Sequence, residues 1–377
     1  MQPHIQNMTG SYIRNILKAA TKAEVISLAG GLPDIELLPK AVLEHIAYQQ
    51  MSDSNLFQYG ESAGYLPLRE WIADEQQCHI DQLIITNGAQ QGLDLVTRCL
   101  LRHRERIVVE APAYLGATQV FNLQNLTIDW LPQLGDCNQL EHLEAAFKRA
   151  KVFYCVPNFH NPTGSLWSLA LRKAVVALAE QHQVTIIEDA PYEALSFSDH
   201  QLPSLYQMAP NNVIKLGSFS KSIAPGLRTG YCLASPGASK QLLKAKQAMD
   251  LHSSNINQAL TYGFVSSKSY KPHLKNIRQT YSIRMAALID ALSGLENVKV
   301  EPVQGGMFLW ARLIGRDADT VTKAALETYN LAIVPGRAFM PVHDTAADEF
   351  VRLNFTNAEP SLINEAVDRL AQAMDAG

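Results

Sequence analysis

Two hydroxyls, an amine and a guanidinium fall within eleven residues: Ser218, Ser220, Lys221 and Arg228. A guanidinium keeps its proton and suits a phosphate. The two serines add short donors for the same anion. A lysine does covalent chemistry only when neutral. At an ordinary pKa of ~10.4 it is neutral about once in a few thousand molecules at pH 7. Desolvation and the neighbouring charge of Arg228 both favour the neutral amine.

A neutral amine beside a phosphate site points to a Schiff base with a phosphorylated aldehyde, for which pyridoxal phosphate is the usual cofactor. Two other readings stand beside this one. Taken alone, Lys221 reads as a solvated loop lysine. Ser218-Phe219-Ser220-Lys221 also matches the Ser-x-x-Lys of penicillin-binding proteins, with Arg228-Thr229-Gly230 mimicking their Lys-Thr-Gly. In that reading the nearest analogue of Ser-Asp-Asn, Ser52-Asp53-Ser54, lies far upstream.

The elements that carry these groups follow from the apolar pattern. Residues 213–216 read as a strand that stops at Gly217, and a short strand over 231–234 follows the Pro225-Gly226 turn. Ligands of open α/β sheets gather at such strand ends. Further strands are expected at 83–86, 107–110, 152–156 and 184–187. Each ends in a polar cluster: Asn87-Gly88-Ala89-Gln90-Gln91, Ala111-Pro112-Ala113-Tyr114, Asn158 through Gly164, and Glu188-Asp189-Ala190-Pro191-Tyr192. A helix start at Ala89 or just beyond would turn outward amides toward an anion. Repeated strand–helix alternation predicts a largely parallel sheet covered on both faces.

Upstream, a helix is expected over 8–20, with Ser11 as N-cap and Arg14 off its apolar face. An apolar run at 25–28 ends in the turn Gly30-Gly31-Leu32-Pro33, and Tyr59 sits in a glycine-flanked loop. After residue 234 the chain turns helical over 240–250, 255–266 and 269–292. Strands at 298–302, 307–311 and 351–355 and a helix at 362–373 form a smaller α+β unit. Arg352 alternates against Val351 and Leu353, so it leaves the face those two share; alone, it reads as a surface ion pair.

Composition narrows the classes. The 377 residues are 47% hydrophobic and 18% charged with net charge −4, ordinary for a soluble globular chain and unfavourable for nucleic acid or anionic membranes. The five cysteines, Cys78, Cys99, Cys137, Cys155 and Cys232, form no C-x-x-C pair, which predicts reduced thiols in a cytoplasm and no metal site. The N-terminus lacks a basic region followed by an apolar block, so no signal peptide is expected.

Taken together, Asn161-Pro162-Thr163-Gly164, Asp189-x-x-Tyr192, Ser218-x-Ser220-Lys221 with Arg228, and Arg352 resemble the fold-type I pyridoxal phosphate enzymes, specifically the class I/II aminotransferases. The likeness covers nearly the whole chain and displaces the penicillin-binding reading. It implies an aspartate aminotransferase-like α/β fold. A large domain (41–270) would carry a mostly parallel seven-stranded sheet. A smaller α+β domain (271–377) would pack with the N-terminal segment (1–40).

The resemblance also implies roles. Lys221 would be the Schiff-base lysine and proton shuttle. Asp189 would keep the pyridine nitrogen protonated, in preference to Glu188 on the other side of the strand. Tyr192 and Asn161 would donate to the phenolic oxygen. Gly88, Ala89, Gln90, Ser218, Ser220 and Arg228 would cradle the phosphate, and Tyr114 would stack on the ring. Tyr59 would reach the other subunit's phosphate in a homodimer. Arg352 would clamp the substrate carboxylate beside Asn161 and Gly31.

The implied reaction is ping-pong transfer of an amino group between an L-amino acid and a 2-oxo acid. Ser11-x-Ile13-Arg14-x-x-Leu17 and the Gly-Gly-Leu-Pro turn look most like the 2-aminoadipate and kynurenine aminotransferase branch, where Arg14 would help select the substrate. His160 stands where that branch usually has glutamine. Carbon–sulfur lyases and decarboxylases share the scaffold. An aminotransferase-like regulator domain and a cofactor-binding protein without turnover are further alternatives.

Overall fold

The computed structural model describes residue 16 and residues 24–199, 202–357 and 359–376. Its strands are β1 (Ile26–Ser27), β2 (Leu83–Thr86), β3 (Arg106–Ala111), β4 (Thr127–Pro132), β5 (Val152–Cys155), β6 (Thr185–Asp189), β7 (Val213–Ser218), β8 (Gly230–Leu233), β9 (Val298–Lys299), β10 (Phe308–Leu313), β11 (Leu331–Ala332), β12 (Val334–Pro335) and β13 (Phe350–Asn354). The longer helices are α1 (Lys40–Gln50), α2 (Leu66–Gln76), α3 (Ala89–Leu100), α4 (Leu115–Leu123), α5 (Leu140–Phe147), α6 (Leu169–Gln181), α7 (Pro236–Asp250), α8 (Asn255–Val265), α9 (Tyr270–Ser293), α10 (Ala318–Glu327) and α11 (Pro360–Ala376).

Seven strands form the main sheet in the order β2-β8-β7-β6-β5-β3-β4. All pairings are parallel except the two made by β8. Strand alternation divides the core. Phe153, Ile186 and Val213 join α1, α2, α5, α6 and α8 on one face. Tyr154, Ile187 and Ile214 join α3, α4 and α7 on the other. Burial on both faces explains the near-continuous apolar runs. Because β8 runs against its neighbours, the residues before it share an edge with the residues after β2, β3, β5, β6 and β7.

A second sheet, β12-β13-β10-β9, is antiparallel. It packs with α9, α10 and α11 in a separate core. The early chain joins it: β1 pairs in parallel with β11, and Arg284 on α9 holds Asp34 at 2.7 Å. The strand expected over 298–302 stops at Lys299, before Pro302, which has no N–H to give a ladder. Strand β4 and helices α4, α5 and α10 escaped the sequence reading. β4, TIDWLP, mixes polar and apolar residues at a half-buried sheet edge. Among the described residues no helix is long and apolar enough to cross a membrane. Of the helix expected over 8–20 only Ile16 is described, and it is helical and buried against Ala29, Ala332 and Phe339; Arg14 lies outside the described residues.

Candidate active site

The polar clusters meet at the carboxyl edge of the main sheet around one cavity of about 290 Å³. Asp189, Tyr192 and Lys221 line it. So do Ala89, Gln90, Ser218, Ser220 and Arg228, and, across the opening, Gly31, Tyr114, Asn161 and Arg352.

One end is cationic. Helix α3 starts at Ala89 behind Gly88, whose φ is 77°. A Cβ on Gly88 would come within 2.7 Å of Arg228 Nη2, so the bare backbone lets the guanidinium approach the helix start. Arg228 itself has φ 49°, and its Nη2 donates to Asn87 O at 3.1 Å. Ser218 and Ser220 complete this end, with Ser220 N donating to Ser218 Oγ at 3.2 Å. A helix N-terminus, a guanidinium and two hydroxyls make an anion cup. Gly88 supports the cup without lining the cavity.

Lys221 lies in the middle, its Nζ donating to Gly31 O at 2.7 Å. Burial, then the charges of Arg228 and Arg352, lower its pKa to about 8. This is the perturbation that Schiff-base chemistry needs, and it removes the solvated-loop reading.

Asp189, at the end of β6, sits on the floor. Tyr154 OH donates to its Oδ2 at 2.8 Å. The other oxygen, Oδ1, is buried with no hydrogen-bond partner among the described residues. Burial raises the carboxyl pKa to about 6. A buried carboxylate oxygen without a donor fits a protonated ring nitrogen. Glu188 points to the opposite face, where it accepts from Leu205 N and Tyr206 N at 3.0 Å each.

Arg352 is 2% exposed, against the surface reading, and no carboxylate faces it among the described residues. Its Nη1 donates to Asn161 Oδ1 at 2.8 Å and its Nη2 to Ala29 O at 2.6 Å. The guanidinium lies over the rings of Phe308 and Phe339, 4.3 and 4.9 Å from their centroids. A buried cation with only neutral partners suits an incoming carboxylate. Asn161 Nδ2 donates to Tyr192 OH at 3.3 Å, linking this clamp to the centre. Tyr114 OH donates to Gln90 Oε1 at 3.3 Å.

Two expected residues stand apart. Tyr59 is 78% exposed, edge-on to His252, and does not line the cavity. Arg14 lies outside the described residues. His160 is buried, its pKa lowered by burial to about 3, and its Nδ1 lies 3.0 Å from Thr163 Oγ1.

Residues 23–370 match the family described as aminotransferase class I and II. The chain belongs to this family. The aminotransferase is 34% identical over 375 residues to the 2-aminoadipate transaminase of Thermus thermophilus, covering 97% of this chain and 94% of that one. Two solved structures match it at TM-score 0.92 and 33% identity, each covering 100% of this chain and 97% of the other. One is the α-aminoadipate aminotransferase of Thermus thermophilus, complexed with N-(5'-phosphopyridoxyl)-L-leucine. The other is the kynurenine aminotransferase of Pyrococcus horikoshii. The aspartate aminotransferase of Thermus thermophilus, at 20% identity and TM-score 0.88, shares the fold.

Sequence reasoning missed Tyr154, which holds one oxygen of Asp189 in this aminotransferase. The available signal was a phenol inside the otherwise apolar run VFYCV, two residues after Val152, on the same face as Ile187 and Asp189. It also missed Leu93 and Val156, which supply apolar wall.

Proposed function

We propose that this aminotransferase uses pyridoxal phosphate to move an amino group between an L-amino acid and a 2-oxo acid by a ping-pong route. When bound, the cofactor supplies an electron-withdrawing ring that makes the substrate α-proton acidic. Lys221 would hold its aldehyde carbon and Asp189 its ring nitrogen. Ala89, Gln90, Ser218, Ser220 and Arg228, supported by Gly88, would hold its phosphate. Asn161 and Tyr192 would face its phenolic oxygen, and Tyr114 would lie against the ring.

This chain's own residues do the rest. Arg352 grips the substrate α-carboxylate through two parallel N–H donors. Asn161 and the rings of Phe308 and Phe339 keep that guanidinium in place before substrate arrives. The amine of Lys221 takes the α-proton when neutral, and its lowered pKa makes that form abundant near pH 8. Leu93 and Val156, both buried, give the cavity an apolar wall. The working unit is a homodimer in which Tyr59 of each chain serves its partner's phosphate. The small domain would begin at residue 271, with described residues 24–40 packing against it, a division supported by the β1–β11 pairing and the Arg284–Asp34 ion pair. Free cysteines suit a cytoplasmic enzyme.

The observation that carries this reading is the convergence of an unpartnered Asp189 oxygen, Lys221 and the buried Arg352 on one cavity. In the test, holoenzyme is mixed with an amino donor alone. Visible absorbance should fall with release of one equivalent of 2-oxo acid, and a second oxo acid should restore it. Lys221→Ala should bind cofactor yet show neither change. Release of ammonia or carbon dioxide in place of the oxo acid would overturn the reading.

A further inference from the structure

Behind the anion cup, outside the cavity, lies a second polar cluster built on the end of α7. Lys246 is fully buried, and its Nζ donates to Asp250 Oδ1 and Oδ2 at 2.8 and 2.9 Å and to Ser253 Oγ at 3.2 Å. Asp250 Oδ2 also accepts from Asn87 Nδ2 at 2.8 Å and Gln91 Nε2 at 2.5 Å. Gln91 Oε1 in turn accepts from Asn87 N at 2.7 Å. Asn87 O is the acceptor for Arg228 Nη2. Both side chains that Asp250 holds therefore flank the Gly88 turn at the start of α3.

We infer that Asp250 is a positioning residue for the cofactor phosphate, acting through Asn87, Gln91 and Arg228. Only a carboxylate serves here. Three different side chains offer donors, and a carboxylate accepts at both oxygens and donates nothing. The charge of Lys246 holds Asp250 in place. Asp250 then fixes the 87–91 peptides, so the amides of Ala89 and Gln90 and the guanidinium of Arg228 point at one spot before any ligand arrives. Preorganised donors bind an anion without an ordering cost at that moment. An asparagine at 250 would turn an NH2 group toward Lys246, Asn87 or Gln91, and the turn would lose one of its ties.

The inference rests on the reading of the cup as a phosphate site, and the experiment separates the two. Apoenzyme is titrated with pyridoxal phosphate and with pyridoxal, following absorbance and tryptophan fluorescence. Wild type should bind the phosphorylated form far more tightly; equal affinities would overturn the phosphate reading itself. Asp250→Asn should weaken pyridoxal phosphate by at least about tenfold, a loss of about 1.4 kcal/mol, and leave pyridoxal within about twofold. Asn87→Ala with Gln91→Ala leaves the Lys246–Asp250 pair intact and should reproduce that selective loss. This second variant decides the matter where Asp250→Asn does not fold. Undiminished preference for the phosphorylated form, or equal weakening of both ligands, would overturn the positioning role.

Discussion

Asp189 shows how a single group is tuned at the cost of stability. Its folded carboxyl titrates at about 6, against an ordinary 3.8, because burial disfavours the charge. Between those values the folded chain binds more protons than the unfolded one. Stability therefore falls as pH rises through that window, and at neutral pH the buried charge opposes folding. Asp189→Asn removes the charge and keeps an acceptor for Tyr154. The apoenzyme variant should be more stable than wild type at pH 7, by about 1–3 kcal/mol, and the gap should close below about pH 4. Urea melts across that range measure it. A variant less stable than wild type at pH 7 would refute the account. Trading stability for a poised charge is common at functional sites.

At the scale of elements, the cup depends on how closely β2, β8 and β7 approach. Gly230 opens β8 and pairs with Thr86 on one side and Ser218 on the other. A Cβ there would lie 2.7 Å from Gly217 O and 2.8 Å from Gly88 Cα, and backbone cannot step aside as a side chain can. Gly230→Ala should push the Gly88 turn away from the Ser218 loop. The expected cost is about 1–3 kcal/mol of stability, together with weaker binding of pyridoxal phosphate. Thermal melts and cofactor titration read the two effects. Unchanged values in both would show that the strand edge is slack.

For the whole molecule, the surface beside the cup asks for a partner. Phe57, Tyr59 and Leu251 are exposed, on segments that touch one another through Asn255 Nδ2 donating to Gln58 O and through His252 beside Tyr59. Exposed apolar groups gathered on one face mark an interaction surface. The chain should sediment at twice its 41.6 kDa mass. Tyr59→Ala should weaken pyridoxal phosphate binding severalfold while the dimer persists. A monomer with full activity, or unaltered cofactor affinity in the variant, would contradict a shared site.

The chain's own order of residues determined the alternating strands, the polar cluster closing each one, and the candidates Lys221, Asp189 and Arg352. These are local properties: a short continuous apolar run marks a strand buried on both faces, and a polar run after it marks its end. Only the tertiary structure decided that the clusters face one another. That follows from β8 running against its neighbours, which brings Arg228 to the edge where Gly88 and Ser218 already lie. Burial of Arg352 was equally invisible, because its partners Ala29, Asn161 and Phe339 come from distant segments. Tyr154 and Asp250 were missed for the same reason. A residue that works by holding another has no signature of its own until folding supplies the neighbour.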